Sequence, residues 1–177
     1  MKINLFEISV YIDNIDCSKI NLINKDFKKT WVSETESSHD FENNLDKESI
    51  EYLSEKIGNL LYSQILKNFK ITILGAWQNN YLDNDFQEKH IHQSSHFSFI
   101  IYKKIKESKT VFFNPAANLL TCFYSKEIFK QTNFFKQVFE PKCRENQMIL
   151  FPSFLEHMVK KSSNCSTISG NILIDLK

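Results

Sequence analysis

His90 and His92 are separated by a single residue, and His157 follows far down the chain in Phe151-Pro152-Ser153-Phe154-Leu155-Glu156-His157. An apolar run over residues 97–102 comes shortly after the first pair. That places the pair in or at the mouth of a β-strand, where residues i and i+2 share a face. Two imidazoles then point the same way, and a third from a distant strand closes a facial set of three nitrogens. Neutral imidazole suits iron, zinc, copper or nickel. Three protein ligands leave coordination positions open for substrate.

The rest of the composition narrows the chemistry around that set. With 22 basic and 21 acidic residues the net charge is +1, and no basic run with interleaved aromatics marks a nucleic-acid footprint. Only three glycines are present and Gly-x-Ser-x-Gly is absent, which removes phosphate-cradling loops and gives hydrolysis little support. Arg144 is the one arginine, so any site needing a bidentate guanidinium has a single candidate. Cys17, Cys122, Cys143 and Cys165 are widely spaced with no C-x-x-C pair, and no signal peptide opens the chain. Reduced thiols in a cytoplasmic protein are the expectation. No apolar stretch approaches the roughly 18 residues of a membrane span.

The elements that must position the histidines follow from pattern. The 177 residues are 42% hydrophobic and 14% aromatic, with 16 Phe, and no Pro-rich or Gly/Ser-rich stretch divides them. This predicts one domain with a packed, β-rich core. Residues 3–12 open as a strand, and residues 33–44 read as a polar loop carrying a solvated His39. From Asp46, a candidate N-cap, to about Phe69 the apolar residues recur at three and four, which predicts an amphipathic helix lying on the outside of a sheet. Short β-rich runs follow at 70–77, 97–104, 110–114, 119–124, 148–151 and 166–176, a spacing that suits a sandwich or barrel. Residues 125–135 form a short helix or a wrapping loop.

Upstream of the histidine pair lies Trp77-Gln78-Asn79-Asn80-Tyr81. Taken in order, Trp-x-Asn-x-Tyr, His-x-His with an apolar strand, Phe-Pro-Ser-x-x-x-His and Ile-Ser-Gly-Asn-Ile resemble the iron(II)- and 2-oxoglutarate-dependent oxygenases. The similarity is greatest to a group, frequent in marine bacteria and their phages, with His-x-His where most relatives carry His-x-Asp. It covers about residues 70–177. The resemblance implies a mainly β fold with flanking helices, a double-stranded β-helix or cupin-like jelly roll, with residues 1–69 supplying a strand and helix against it. It implies His90 and His92 as proximal metal ligands, His157 as the distal one, and Asn79 and Tyr81 as contacts to 2-oxoglutarate.

The chain departs from the family pattern at two points. Position 92 is histidine rather than a carboxylate, so zinc is acceptable alongside iron(II). Where the family carries an arginine for the distal carboxylate of 2-oxoglutarate, this chain carries Cys165, and a thiol makes no bidentate pair. Lys160 or Lys161 would then hold that carboxylate as a point charge. Ser98 and Tyr102 share strand parity with the histidine pair and line the same interior, as barrel filling or as cosubstrate contacts. Asn171 completes the set of cosubstrate candidates. His96 is either a second-shell or a structural histidine, Glu88 and Glu156 point away from the ligands beside them, and Asp83 and Asp85 stay open as loop ligands.

Three functions remain in view: an oxygenase acting on a small molecule or a protein side chain, a phage-associated metal-binding or structural jelly roll without turnover, and a three-histidine dioxygenase needing no 2-oxoglutarate. A homodimer is the expected assembly, since β-rich folds expose sheet edges. The loops at 33–44 and 114–135 are expected to wall the substrate site.

Overall fold

The computed structural model describes residues 8–30, 35–39, 44–64, 68–117 and 136–176. Their strands are β1 (Tyr11–Asn14), β2 (Lys28–Thr30), β3 (Thr35–Ser37), β4 (Phe69–Tyr81), β5 (Asp85–His90), β6 (Phe97–Lys104), β7 (Thr110–Phe113), β8 (Val138–Phe139), β9 (Gln147–Pro152), β10 (His157–Ser162) and β11 (Cys165–Leu176). One helix, α1 (Lys47–Gln64), lies between β3 and β4. A large antiparallel sheet runs β1-β9-β6-β11-β4-β3-β2 and faces a small one, β5-β10-β7-β8. Two opposed antiparallel sheets make this the mainly β jelly roll that the sequence predicts.

The centre of the large sheet is buried on both faces, which explains why residues 99–102 of β6 and 148–151 of β9 are continuously apolar. On its outer face, Phe99, Ile101, Met148, Leu150 and Ile168 meet Leu53, Ile57 and Leu61 of α1. Those three helix residues are spaced by four and fully buried, so each contributes about 2 kcal/mol of hydrophobic stabilisation. On the inner face, Ile100, Tyr102, Ile149 and Phe151 pack with Phe112 and Leu155 from the side of the small sheet. Gly170 sits where the sheet is tightest: a Cβ there would lie 2.3 Å from the Phe99 ring and 2.6 Å from the Gly75 carbonyl oxygen.

Asp46 caps α1 as predicted, accepting from the Ser49 amide at 2.8 Å. The described helix ends at Gln64, short of the expected bound near Phe69, where Asn68 has a left-handed φ of 60° and Phe69 opens β4. Among the described residues the opening strand begins at Tyr11 and one α-helix flanks the sheets; residues 3–7 of the expected strand lie outside them. The supposed loop at 33–44 contains β3, whose Glu36 and Ser37 pair with Asn80 and Asn79 of β4. The strand expected at 119–124 and the helix or loop at 125–135 lie outside the described residues, as does most of the wall expected at 114–135.

Candidate metal centre

Two of the three histidines come from the small sheet and the third from the segment just past β5. His90 is the last residue of β5, and His157, the first of β10, is its direct register partner. His92 lies just beyond, fixed by its amide to the Ser153 carbonyl oxygen at 3.0 Å. One ligand nitrogen from each of the three can be chosen so that all lie within 4.8 Å of one another. His90 Nδ1 bonds the Glu88 carbonyl oxygen at 2.7 Å, and His157 Nδ1 bonds that of Leu155 at 3.0 Å. A carbonyl only accepts, so both Nδ1 atoms carry the proton and both Nε2 lone pairs are left for a ligand.

The surroundings keep these rings neutral. Phe112 and Phe151 pack against His157, with ring centroids 5.7 and 4.8 Å away, and Trp77 stands 5.8 Å from His92. Burial pushes His157 down to about 3, with His90 and His92 adding to the shift. Burial also takes His92 to about 3, reinforced by His90 and His39. His90 is lowered by burial as well, against the opposing effect of its bond to Glu88. Three neutral imidazoles converging in a largely apolar pocket form a donor set for a divalent cation.

The strand before the ligands turns a second set of groups inward. In the register of β4 with β11, Trp77, Asn79 and Tyr81 lie opposite Ser169, Thr167 and Cys165. Asn79 is 1% exposed and accepts from the Ser37 hydroxyl at 2.7 Å. Its Nδ2 amide, like Trp77 Nε1, is buried with no hydrogen-bond partner among the described residues. Buried donors left unpaired cost about 1–3 kcal/mol each, so this pair fits an acceptor that arrives with a ligand. The Tyr81 hydroxyl donates to Gln87 Oε1 at 3.3 Å.

Ser98 and Tyr102 face the interior, but not through continuous parity with the histidines, because the chain turns between β5 and β6 and Ser94 takes a left-handed φ of 59°. Ser98 donates to Asn171 Oδ1 at 2.9 Å and bonds Ser153, while Tyr102 donates to Thr110. These bonds tie β6 to β11, to β7 and to the residue that follows β9. Cys165 is also interior, accepting from the Ser162 hydroxyl at 3.0 Å and lying 3.2 Å from the Ser163 carbonyl oxygen.

Lys160, a candidate for the cosubstrate carboxylate, faces away from the histidines. On β10 the buried residues are His157, Val159 and Ser162, and Lys160 is exposed, bonded to Glu140 at 2.5 Å. Strand alternation turns it away from the interior, and the exposed Lys161 is no substitute. Asp83 lies in the turn before β5 and Asp85 is that strand's first residue, accepting from the Leu82 amide, and Glu156 pairs outside with Lys89 at 2.6 Å. His96 is structural: its Nδ1 accepts from the Ile174 amide at 2.9 Å.

Two residues join the site unannounced by pattern. His39 stands edge-on to Trp77 at 4.7 Å, where the sequence predicted a solvated loop residue. Its position follows from β3, whose pairing with β4 carries the next residues over the mouth: Ser38 and Gln78 exchange two bonds, each 2.9 Å. Gln87 was hidden in a polar stretch; a register shift beside it lets both Gln87 and His90 face inward.

Residues 75–168, over half of the chain, match a family described as "Putative 2OG-Fe(II) oxygenase". No curated protein matches in sequence. Among solved structures, HygX from Streptomyces hygroscopicus with nickel, 2-oxoglutarate and hygromycin B is similar at 6% identity, covering 93% of this chain and 82% of that one with a TM-score of 0.53. Its complex with nickel and 2-oxoglutarate gives 0.54 at the same identity and coverage. A 2OG-Fe(II) oxygenase family oxidoreductase from Burkholderia pseudomallei matches at 10% identity over 72% of this chain, with a TM-score of 0.47. The chain spans 53% of that protein's length. The two HygX matches establish a shared fold, and the phage association finds no support among these proteins. By the match across its β core, this chain belongs to the 2OG-Fe(II) oxygenase family.

Proposed function

We propose that the protein is an iron(II)- and 2-oxoglutarate-dependent oxygenase that hydroxylates a small molecule or a protein side chain. The observation that carries this reading is the convergence of His90, His92 and His157 beside two unpaired donors, Asn79 Nδ2 and Trp77 Nε1. The histidines would hold the metal, and Asn79 and Tyr81 would orient the cosubstrate. Ser98, Tyr102 and Asn171 would brace the interior around it. Iron(II) with 2-oxoglutarate would supply the oxidising chemistry, while the chain binds, orients and excludes water. His39 and Trp77, at the mouth, would contact substrate. Zinc fits the three imidazoles equally well as a ligand set.

A second reading is favoured by Cys165, buried where relatives place an arginine and bonded within its own turn. In that reading the site binds metal without 2-oxoglutarate, either as a three-histidine dioxygenase or without turnover. Oxygen uptake and succinate release by the iron(II)-loaded protein separate the cases. Uptake coupled to succinate supports the first reading, uptake without succinate the dioxygenase, and metal binding with neither the inert form.

A further inference from the structure

We infer that Ser37 is a positioning residue for the cosubstrate: its hydroxyl holds the Asn79 amide in the orientation that offers Nδ2, and not Oδ1, to a ligand. The inference rests on the cosubstrate reading above, and Ser37 lies outside the residues 75–168 that match the family. Ser37 and Asn79 are direct register partners on β3 and β4, 2% and 1% exposed. Directly opposed residues on antiparallel strands share a face and stand close together. The Ser37 hydroxyl donates to Asn79 Oδ1 at 2.7 Å, and its oxygen accepts from the His39 amide at 3.1 Å. Asn79 Nδ2 is left buried and unpaired among the described residues, on the strand face it shares with Trp77, whose ring stands 5.8 Å from that of His92.

An asparagine amide has a donor end and an acceptor end, and its hydrogen-bond partners decide which end faces which way. The Ser37 hydroxyl has one proton to give, and with Oδ1 toward it that proton is paired. The reversed amide would set Nδ2 against an oxygen that already accepts from His39, leave the hydroxyl proton without its acceptor, and present Oδ1 to the incoming ligand. A carboxylate and an amide oxygen both only accept, so the reversed amide would repel the anion that the observed one can bind. Leaving a buried polar group unpaired is unfavourable, which lets a single hydroxyl set the orientation. The strand that carries Ser37 is itself fixed to both sheets. Thr35 Oγ1 donates to the Phe86 carbonyl oxygen of β5 at 2.9 Å, while Ser38 and Gln78 exchange two bonds across β3 and β4. An element upstream of the matched β core thus sets the polarity of a contact inside it.

The test is anaerobic calorimetry of 2-oxoglutarate binding to the iron(II)-loaded protein, with iron(II) affinity measured on the same variants. Ser37→Ala is expected to weaken 2-oxoglutarate by about three- to tenfold, the scale of one hydrogen bond, and to leave iron(II) affinity unchanged. Ser37→Thr keeps the hydroxyl and should bind as wild type does. Ser37→Cys keeps the volume with only a weak donor and should follow Ser37→Ala. Because Ser37 acts through Asn79, the losses should not add: Ser37→Ala combined with Asn79→Leu should bind no more weakly than Asn79→Leu alone. Wild-type 2-oxoglutarate affinity in Ser37→Ala and Ser37→Cys, additive losses in the double variant, equal losses in Ser37→Thr and Ser37→Ala, or iron(II) affinity falling in step would each overturn the positioning role. Wild type that binds iron(II) but not 2-oxoglutarate overturns the cosubstrate reading with it, whereas wild-type binding that ignores Ser37 removes the positioning role and leaves that reading standing.

Discussion

His90 and His157 are direct register partners on neighbouring antiparallel strands, with ring centroids 4.3 Å apart. Antiparallel pairing holds directly opposed side chains at fixed separation, and each Nδ1 is committed to a backbone carbonyl. The two Nε2 lone pairs therefore stand in one place whether or not a cation is there to share them.

Metal affinity should collapse when one member of that pair is removed. His157→Ala is expected to weaken iron(II) or zinc binding by about a hundredfold or more, since loss of outer-shell partners alone costs about 10–100-fold. The check is a thermal-shift titration: wild type should gain roughly 2.7 kcal/mol at a metal concentration of about 100 Kd. A variant that gains as much as wild type sinks the three-histidine site.

The metal-free protein should lose stability in acid sooner than its surface charges alone would dictate. His92 and His157 have folded values near 3, below the ordinary 6.5. The unfolded chain therefore takes up their protons first as pH falls. Their contribution to stability is intact above 6.5 and is lost progressively from there toward 3, at about 1.4 kcal/mol per pH unit for each histidine that stays neutral in the fold. Urea melts of wild type and His92→Gln across pH 7 to 4 check this, and parallel pH profiles would falsify it.

Asn79→Leu separates the metal from the cosubstrate. The variant keeps the side-chain volume but removes the unpaired Nδ2 and the acceptor of the Ser37 hydroxyl. Iron(II) affinity should change little, while 2-oxoglutarate affinity in the iron-loaded protein falls about tenfold, the scale of one hydrogen bond to a carboxylate. Unaltered 2-oxoglutarate binding would remove Asn79 from the site.

Gly170→Ala should be among the most damaging single-methyl additions in the chain. The added Cβ meets Phe99 Cζ at 2.3 Å and the Gly75 carbonyl oxygen at 2.6 Å, and Phe99 is fully buried against the helix-side core. Overpacking of this kind costs about 1–3 kcal/mol. Chemical denaturation of the metal-free protein measures it, and a loss below about 0.5 kcal/mol would show that the sheet yields there.

The sequence by itself determined the parts whose information is local. The 3.6-residue stripe of Leu53, Ile57 and Leu61 fixed α1 and its buried face, and the apolar run around residues 99–102 fixed β6 as a strand. The histidine spacing and the order of Trp77, Asn79 and Tyr81 fixed the type of site. Strands β5 and β10 were not legible as regular strands, because Asp85–His90 and His157–Ser162 are polar where they carry ligands and meet solvent, and register shifts break their alternation. Only the tertiary structure decided which groups share the interior. It turned Lys160 out to Glu140, brought His39 onto Trp77 through the β3–β4 pairing, and set Ser37 against Asn79. The physical reason is that a side chain's face depends on register and strand pairing, and a one-residue shift, invisible in composition, reverses it.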